Sequence, residues 1–187
     1  MNMFKIISVL FILFSGILFS FKENSQPLYK TSNGQISFYS ETPMENIDAI
    51  STTMLSAINP SNKNIACVIL MTSFKFKNGL MQEHFNEKYV ESDKYPKATY
   101  SGLINENIDY SKPGTYPITS SGSLTIHGIS QPRTINGTLI INDSKNVTLN
   151  SIFDVKLVDH KIEVPQIVFN KIAEVIQVKI NAAYTLQ

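Results

Sequence analysis

The stretch from Phe74 to Gly102, FKFKNGLMQEHFNEKYVESDKYPKATYSG, constrains the fold most, because its hydrophobic period changes twice. Phe74-Lys75-Phe76-Lys77 alternates apolar and basic residues, the period of a strand with one buried face. Asn78-Gly79 breaks that strand, and Asn78 suits a helix cap that accepts a backbone N–H from the first turn. From Leu80 the period is helical. At about 100° per residue, Leu80, Met81, His84, Phe85, Lys88 and Tyr89 share one half of the wheel, and Gln82, Glu83, Asn86 and Glu87 take the other. Pro96 pushes the residue before it out of the α region, so Ser92 to Pro96 reads as the turn that ends the helix. Ala98, Tyr100 and Gly102 begin another alternating strand. The rest of the chain carries mostly strand patterns, so this one amphipathic helix is the candidate plug or lid.

Before it, Gln35 to Ser40 alternates with Ile36 and Phe38 on one face, and Pro43 to Ala49 reads as a turn feeding a strand through Ile47, Ala49 and Ser51. The turn Asn59-Pro60-Ser61-Asn62 leads into a long apolar strand from Ile65 to Phe76. After the helix, Lys97 to Ile104 is a strand and Tyr110 to Gly114 a turn. Tyr116 to His127 is extended, with Leu124 and Ile126 on one face, Thr125 and His127 on the other, and Gly122 marking a bulge or bend. Arg133 to Asn142 and Val147 to Val158 form a hairpin. Pro165 argues against a central strand over Lys161 to Phe169. Val175 to Leu186 alternates, with Val178, Ile180 and Ala182 on one face. About eight strands, one helix and frequent turns suit an antiparallel barrel or a sandwich, and periodicity does not choose between them.

Three runs carry a family resemblance: GLMQEHFNEKYVESDKYPKATYSG, Pro43-Met44-Glu45-Asn46-Ile47-Asp48-Ala49, and Gly122-Ser123-Leu124-Thr125-Ile126-His127-Gly128. In order and spacing they resemble the YceI-like family of secreted lipid-binding proteins, over Ile36 to Leu186. The resemblance implies an all-β domain with one helix, an about eight-stranded antiparallel lipocalin-like barrel around a long apolar channel. The ligand it implies is a polyisoprenoid or similar amphiphile. It thereby decides for the barrel.

Ahead of the domain, Met1 to Lys5 is short and basic, and Ile6 to Phe21 is apolar apart from Ser8, Ser15, Gly16 and Ser20. These are the marks of a secretory leader, and the run falls short of the ~20 residues that span a bilayer comfortably. The expected division is a leader over 1–20, a flexible lead-in over 21–34 and the barrel over 35–187, with export to a periplasmic or extracellular compartment. Losing Lys5 with the leader leaves 15 basic and 15 acidic residues, a balance that gives no electrostatic reason to expect nucleic acid. Cys67 is the single cysteine, so no internal disulfide forms, and its apolar strand predicts a buried, inert thiol.

Catalytic patterns are sparse. His84 and Glu87 stand three apart on the helix and His160 follows Asp159, but neither pair makes the three-ligand set that zinc catalysis needs. Ser123 lies outside any Gly-x-Ser-x-Gly elbow. Glu83 and Glu87 face away from the helix's apolar side, as solvated surface does. No cofactor and no metal are expected. A binding protein asks less of the residues, because a barrel strand points alternate side chains inward. The candidate channel lining is Ile36, Phe38, Ile69, Met71 and Phe76, then Leu124, Ile126, Phe153 and Val155, with Leu80, Met81 and Phe85 covering one side from the helix. Tyr100 and His127 are the polar candidates for a head group. The expected partner is a long-chain lipid or isoprenoid, with transient contact at a membrane surface. Two rivals stand beside this: an enzyme using His84, His127 or His160 on a bound lipid or quinone, and a filled-core barrel acting through its surface.

Overall fold

Alternating apolar residues give strands that each bury one face, and here they bury it against one another by closing the sheet. The structure, a computed structural model, describes residues 27–43, 46–164 and 172–187. These residues form nine strands: β1 (Tyr29–Glu41), β2 (Asn46–Ile58), β3 (Asn64–Leu70), β4 (Lys75–Phe76), β5 (Lys97–Ile104), β6 (Gly114–Ile126), β7 (Ile129–Ile141), β8 (Val147–Lys156) and β9 (Val175–Leu186). The order runs β1-β9-β8-β7-β6-β5-β3-β2, and β2 pairs back onto β1, so eight antiparallel strands close a barrel. Closure leaves no open edge along those pairs. The expected leader and residues 21–26 lie outside the described residues, as do Met44, Glu45 and Pro165.

The structure corrects several boundaries. The lead-in expected over 21–34 is strand from Tyr29 onward, and Tyr29 is a buried core residue paired with Ile58 and Leu186. The polar run Lys30 to Asn33 hides this strand, because bulges interrupt its alternation. Register against β2 shifts between Thr31 and Gly34 and again before Ile36. The buried face thus passes from Tyr29 to Gly34 and Ser40, and in β2 from Ala49 and Ser51 to Met54, Ser56 and Ile58. An extra residue of this kind flips every later side chain to the other face. At Gly34 a Cβ would sit 2.8 Å from Met54 Cε and 3.3 Å from Ala182 Cβ, so the glycine gives Met54 room to cross the interior.

The long strand expected over Ile65 to Phe76 is broken. A 3₁₀ turn over Met71–Ser73 separates β3 from β4, and β4 rejoins β2 with Ala49 opposite Phe76. Ser73 holds the break, its hydroxyl donating 2.6 Å to the Leu70 carbonyl. Gly122 is not a bulge. Register on both sides of it is unbroken, and the residue opposite is Gly102. A Cβ at Gly122 would collide with the backbone of Ser101 and Gly102, so this pair lets β5 and β6 pass close together.

One end of the barrel is filled. Ile58, Leu139, Ile141, Val147 and Tyr184 are each at most 2% exposed, and Tyr29 stacks on Tyr110 with ring centroids 5.3 Å apart. Each such aliphatic side chain contributes ~1.5–3 kcal/mol through burial. The Tyr184 hydroxyl meets Ser56 Oγ at 2.8 Å, and Ser56 donates 2.8 Å to the Ala66 carbonyl, so Tyr184 is the donor between them. Burial pushes the Tyr110 hydroxyl up to about 12 and holds that of Tyr184 higher still.

Candidate functional site: an apolar chamber at the other end

Above this packed layer the interior is hollow. The chamber has a volume of about 500 Å³, in the range of small-molecule sites. Its wall is the inward face of the barrel strands, with Ile36 and Phe38 from β1, Ile65 and Ile69 from β3, Leu124 and Ile126 from β6, and Phe153 and Val155 from β8. Ala98 and Tyr100 come from β5, and Ile176, Val178 and Ile180 from β9. Among the described residues the wall carries no Asp, Glu, Lys or Arg.

The helix roofs one side. α1 (Gly79–His84) begins as expected at Asn78, whose side chain accepts from the Leu80 N–H at 2.9 Å. It then continues as a π-helical turn over Phe85–Tyr89, in which the Val90 N–H reaches the Phe85 carbonyl at 3.0 Å. The extra residue in that turn changes which side chains face inward. A regular helix would place Lys88 below His84, as the helical wheel predicts. The structure leaves Lys88 exposed and puts Tyr89 and buried Val90 on the wall beneath His84 and Phe85. Such π-turns often occur at functional sites. Leu80, expected inward, touches the wall but is 57% exposed; with exposed Asn78 it marks the mouth.

Four phenylalanines join the roof to the strands. Phe85 contacts Phe38, Phe74 and Phe76, and Phe38 contacts Phe74 and Phe76, with centroids between 5.1 and 5.8 Å. Each such pair adds ~0.5–1.5 kcal/mol beyond its buried area.

Polar groups deep in the chamber are spent on one another. Tyr100 Oη and Ser120 Oγ lie 2.8 Å apart, and Ser151 Oγ donates 2.6 Å to the Asn136 carbonyl. Burial raises the Tyr100 hydroxyl, against a smaller opposing pull from Ser120. Cys67 is on the wall too, half-buried, where burial pushes its thiol up against the pull of Ser56 Oγ at 3.1 Å.

Of the predicted lining, Ile36, Phe38, Ile69, Met71, Phe76, Met81, Phe85, Tyr100, Leu124, Ile126 and Phe153 converge on this one space. His127 does not. It sits in the two-residue turn between β6 and β7, with φ of 51° at His127 and 70° at Gly128, the mirror-type turn that matches strand twist. Its Nε2 lies 2.6 Å from Glu91 Oε2, its Nδ1 3.1 Å from the His160 carbonyl, and the Tyr95 ring packs on it at 4.5 Å. Both ring nitrogens are thus occupied in fastening the turn after the helix to the barrel rim. His160 is buried in the same rim, its Nδ1 3.0 Å from the Ile129 carbonyl.

This rim closes a parting in the wall. β7 pairs with β8 only over Gly137–Ile141, so residues 129–136 have no ladder on that side. Side chains bridge the gap instead: Arg133 Nη2 donates to the Asp154 carbonyl, and Gln131 Nε2 donates 2.9 Å to that of Asp159. His127 and His160 meet only through a backbone carbonyl, and among the described residues no group of three or more His, Cys, Asp or Glu is placed to hold a metal. Glu83 and Glu87 are exposed, as the wheel predicts.

Sequence reasoning missed Phe74, Ile118, Tyr89, Leu149, Val178 and Ile180 as wall residues. For Ile118 and Leu149 the signal was present, since they share the parity of Leu124 and Phe153 on their strands. For Tyr89 it was present too, since the helical wheel puts it on the apolar half with Phe85.

A family model described as the YceI-like domain matches residues 28–184. No curated protein matches the chain. Among solved structures, a polyisoprenoid binding domain from Saccharophagus degradans, implicated in plant cell wall breakdown, superposes with a TM-score of 0.73 at 12% identity, covering 87% of this chain and 99% of that one. BcnA of Burkholderia cenocepacia superposes with a TM-score of 0.67 at 15% identity, covering 81% and 96%. The YCEI protein of Campylobacter jejuni gives 0.55 at 16% identity, covering 84% and 85%. These likenesses establish a shared fold.

Proposed function

The chain belongs to the YceI-like family, and from that premise we propose that it binds a polyisoprenoid, an isoprenoid quinone or another long-chain amphiphilic lipid without chemical change, as a carrier or store outside the cytoplasm. The observation that carries this reading is the chamber: about 500 Å³, walled by aliphatic and aromatic side chains and closed at one end. Moving an apolar tail from water into such a space is favourable by up to ~0.8 kcal/mol per CH₂ before the cost of ordering it. Met54, Met71 and Met81 on the wall suit a flexible tail, because an unbranched thioether re-packs easily. The structural likeness to a polyisoprenoid binding domain supports the ligand class. The leader-like sequence over 1–20 supports export. Binding alone accounts for the site, and catalysis is not part of the proposal.

Native mass spectrometry of protein purified from its own host, followed by organic extraction, tests it. The expected result is a stoichiometric long-chain lipid released by solvent and absent from denatured protein. Protein that is empty from its own host and takes up no added lipid overturns the reading.

A further inference from the structure

The roof of the chamber carries two polar side chains without a hydrogen-bond partner among the described residues. His84 and Tyr89 both contribute to the wall and both are half-buried, yet neither ring makes a hydrogen bond or ion pair among the described residues. This sets them apart from Tyr100, Ser120 and Ser151, whose hydroxyls are satisfied within the protein. The helical wheel already groups these two, and the five-residue step of the π-turn sets Tyr89 below His84 where a regular turn would set Lys88. Burial raises the Tyr89 hydroxyl above its ordinary range, so it remains a neutral donor and acceptor.

The charges nearby matter as much. Phosphate heads are held by Arg or Lys, and an uncompensated charge at a low-dielectric wall is costly. Among the described residues the wall offers neither. Lys77, just before the helix, is paired to Asp48 at 2.7 Å, and Lys88 is turned to solvent.

We propose that His84 and Tyr89 form a head-group site at the chamber mouth for an uncharged hydrogen-bonding head, an alcohol, phenol or quinone carbonyl, and that the site discriminates against phosphate and diphosphate heads. The proposal rests on the lipid-binding reading above. The imidazole and the phenol each give and accept hydrogen bonds, so one hydroxyl or carbonyl can engage both, while the tail runs past Phe85 into the chamber.

The test uses three probes with one C20 branched tail: geranylgeraniol, geranylgeranyl diphosphate and the head-free hydrocarbon phytane. Each competes with 1-aminoanthracene bound to the full domain, followed by fluorescence. The expected order is alcohol about tenfold tighter than either other probe, the worth of one or two net hydrogen bonds. In Tyr89→Phe, which keeps the ring, and in His84→Leu, the alcohol-to-phytane affinity ratio falls toward one. Circular dichroism melting checks that each variant folds. A diphosphate that binds as tightly as the alcohol, or a ratio unmoved in both variants, overturns the head-group site and leaves the lipid-binding reading standing. Failure of all three probes to displace the dye from wild-type protein overturns both.

Discussion

The same strands build a packed end and a hollow end. At the packed end Ile58, Leu139, Ile141, Val147 and Tyr184 meet across the axis, each at most 2% exposed. At the hollow end Ile36, Phe38, Ile126, Phe153 and Val178 point inward from those strands, are half-buried, and face a chamber of about 500 Å³. Residue type does not separate them, because both sets are aliphatic and aromatic. The connections do. At the packed end the turns Asn59–Lys63 and Asn142–Asn146 join neighbouring strands, and Tyr110 from the 105–113 connection stacks on Tyr29. At the other end β3 breaks after Leu70, β7 parts from β8 beyond Gly137, and the helix lies over the opening. Inward pointing is thus a property of the strand, and filling is a property of what the loops allow.

If this contrast is right, truncation should tell the ends apart most strongly. Leu139→Ala is expected to lower the unfolding free energy in urea by ~2–5 kcal/mol, the cost of a cavity in a packed site. Ile126→Ala should cost less than ~1 kcal/mol, because its neighbours already border empty space. Equal losses would erase the distinction. Adding volume probes it from the other side. Val147→Phe should cost ~1–3 kcal/mol by overpacking. Ile126→Trp, with Met71→Phe as a second variant, should leave the melting temperature nearly unchanged while lowering co-purifying lipid. A large loss of stability with lipid content unaltered would mark these positions as ordinary core.

Alkaline pH bears most heavily on the packed end. Burial favours the neutral form of Tyr110, raised to about 12, and of Tyr184, raised further. The unfolded chain ionises these phenols near their ordinary value of about 10. Their contribution is therefore fully present below pH about 10 and is lost as pH rises toward 12. Unfolding free energies measured at pH 9 and 11 should fall in that order, and Tyr110→Phe should flatten the decline. The smallest global effect belongs to the rim. Glu91→Ala frees His127 Nε2 and should cost ~1 kcal/mol, the net worth of one hydrogen bond. Amide exchange over 79–95 should nevertheless quicken while the packed end stays protected. Unchanged exchange there would mean the clamp holds nothing in place.

Where alternation is unbroken, the sequence can be read directly. Leu124 and Ile126, Phe153 and Val155, and Val178 and Ile180 all stand where a period of two puts them. The Asn78 cap is equally plain, since it depends on one side chain and one turn. The departures are places where the backbone changes its count. Bulges in β1 and β2 conceal the strand at Tyr29, the 3₁₀ turn at Met71 splits a continuous apolar run, and the π-turn leaves Lys88, which the wheel groups with His84, exposed. His127 was misplaced for a related reason: the turn it forms with Gly128 looks in sequence like more of the strand. Each of these is decided by long-range packing, to which local pattern is blind.

The closed packed end makes the barrel a cul-de-sac. Whatever occupies the chamber must leave by the opening through which it came, and water must pass it in the opposite direction on the way in. A second guest cannot push the first out from behind, so exchange is strictly sequential, with vacancy preceding replacement. For the lipid proposed above, one opening means that the tail goes in first and the head stays at the mouth.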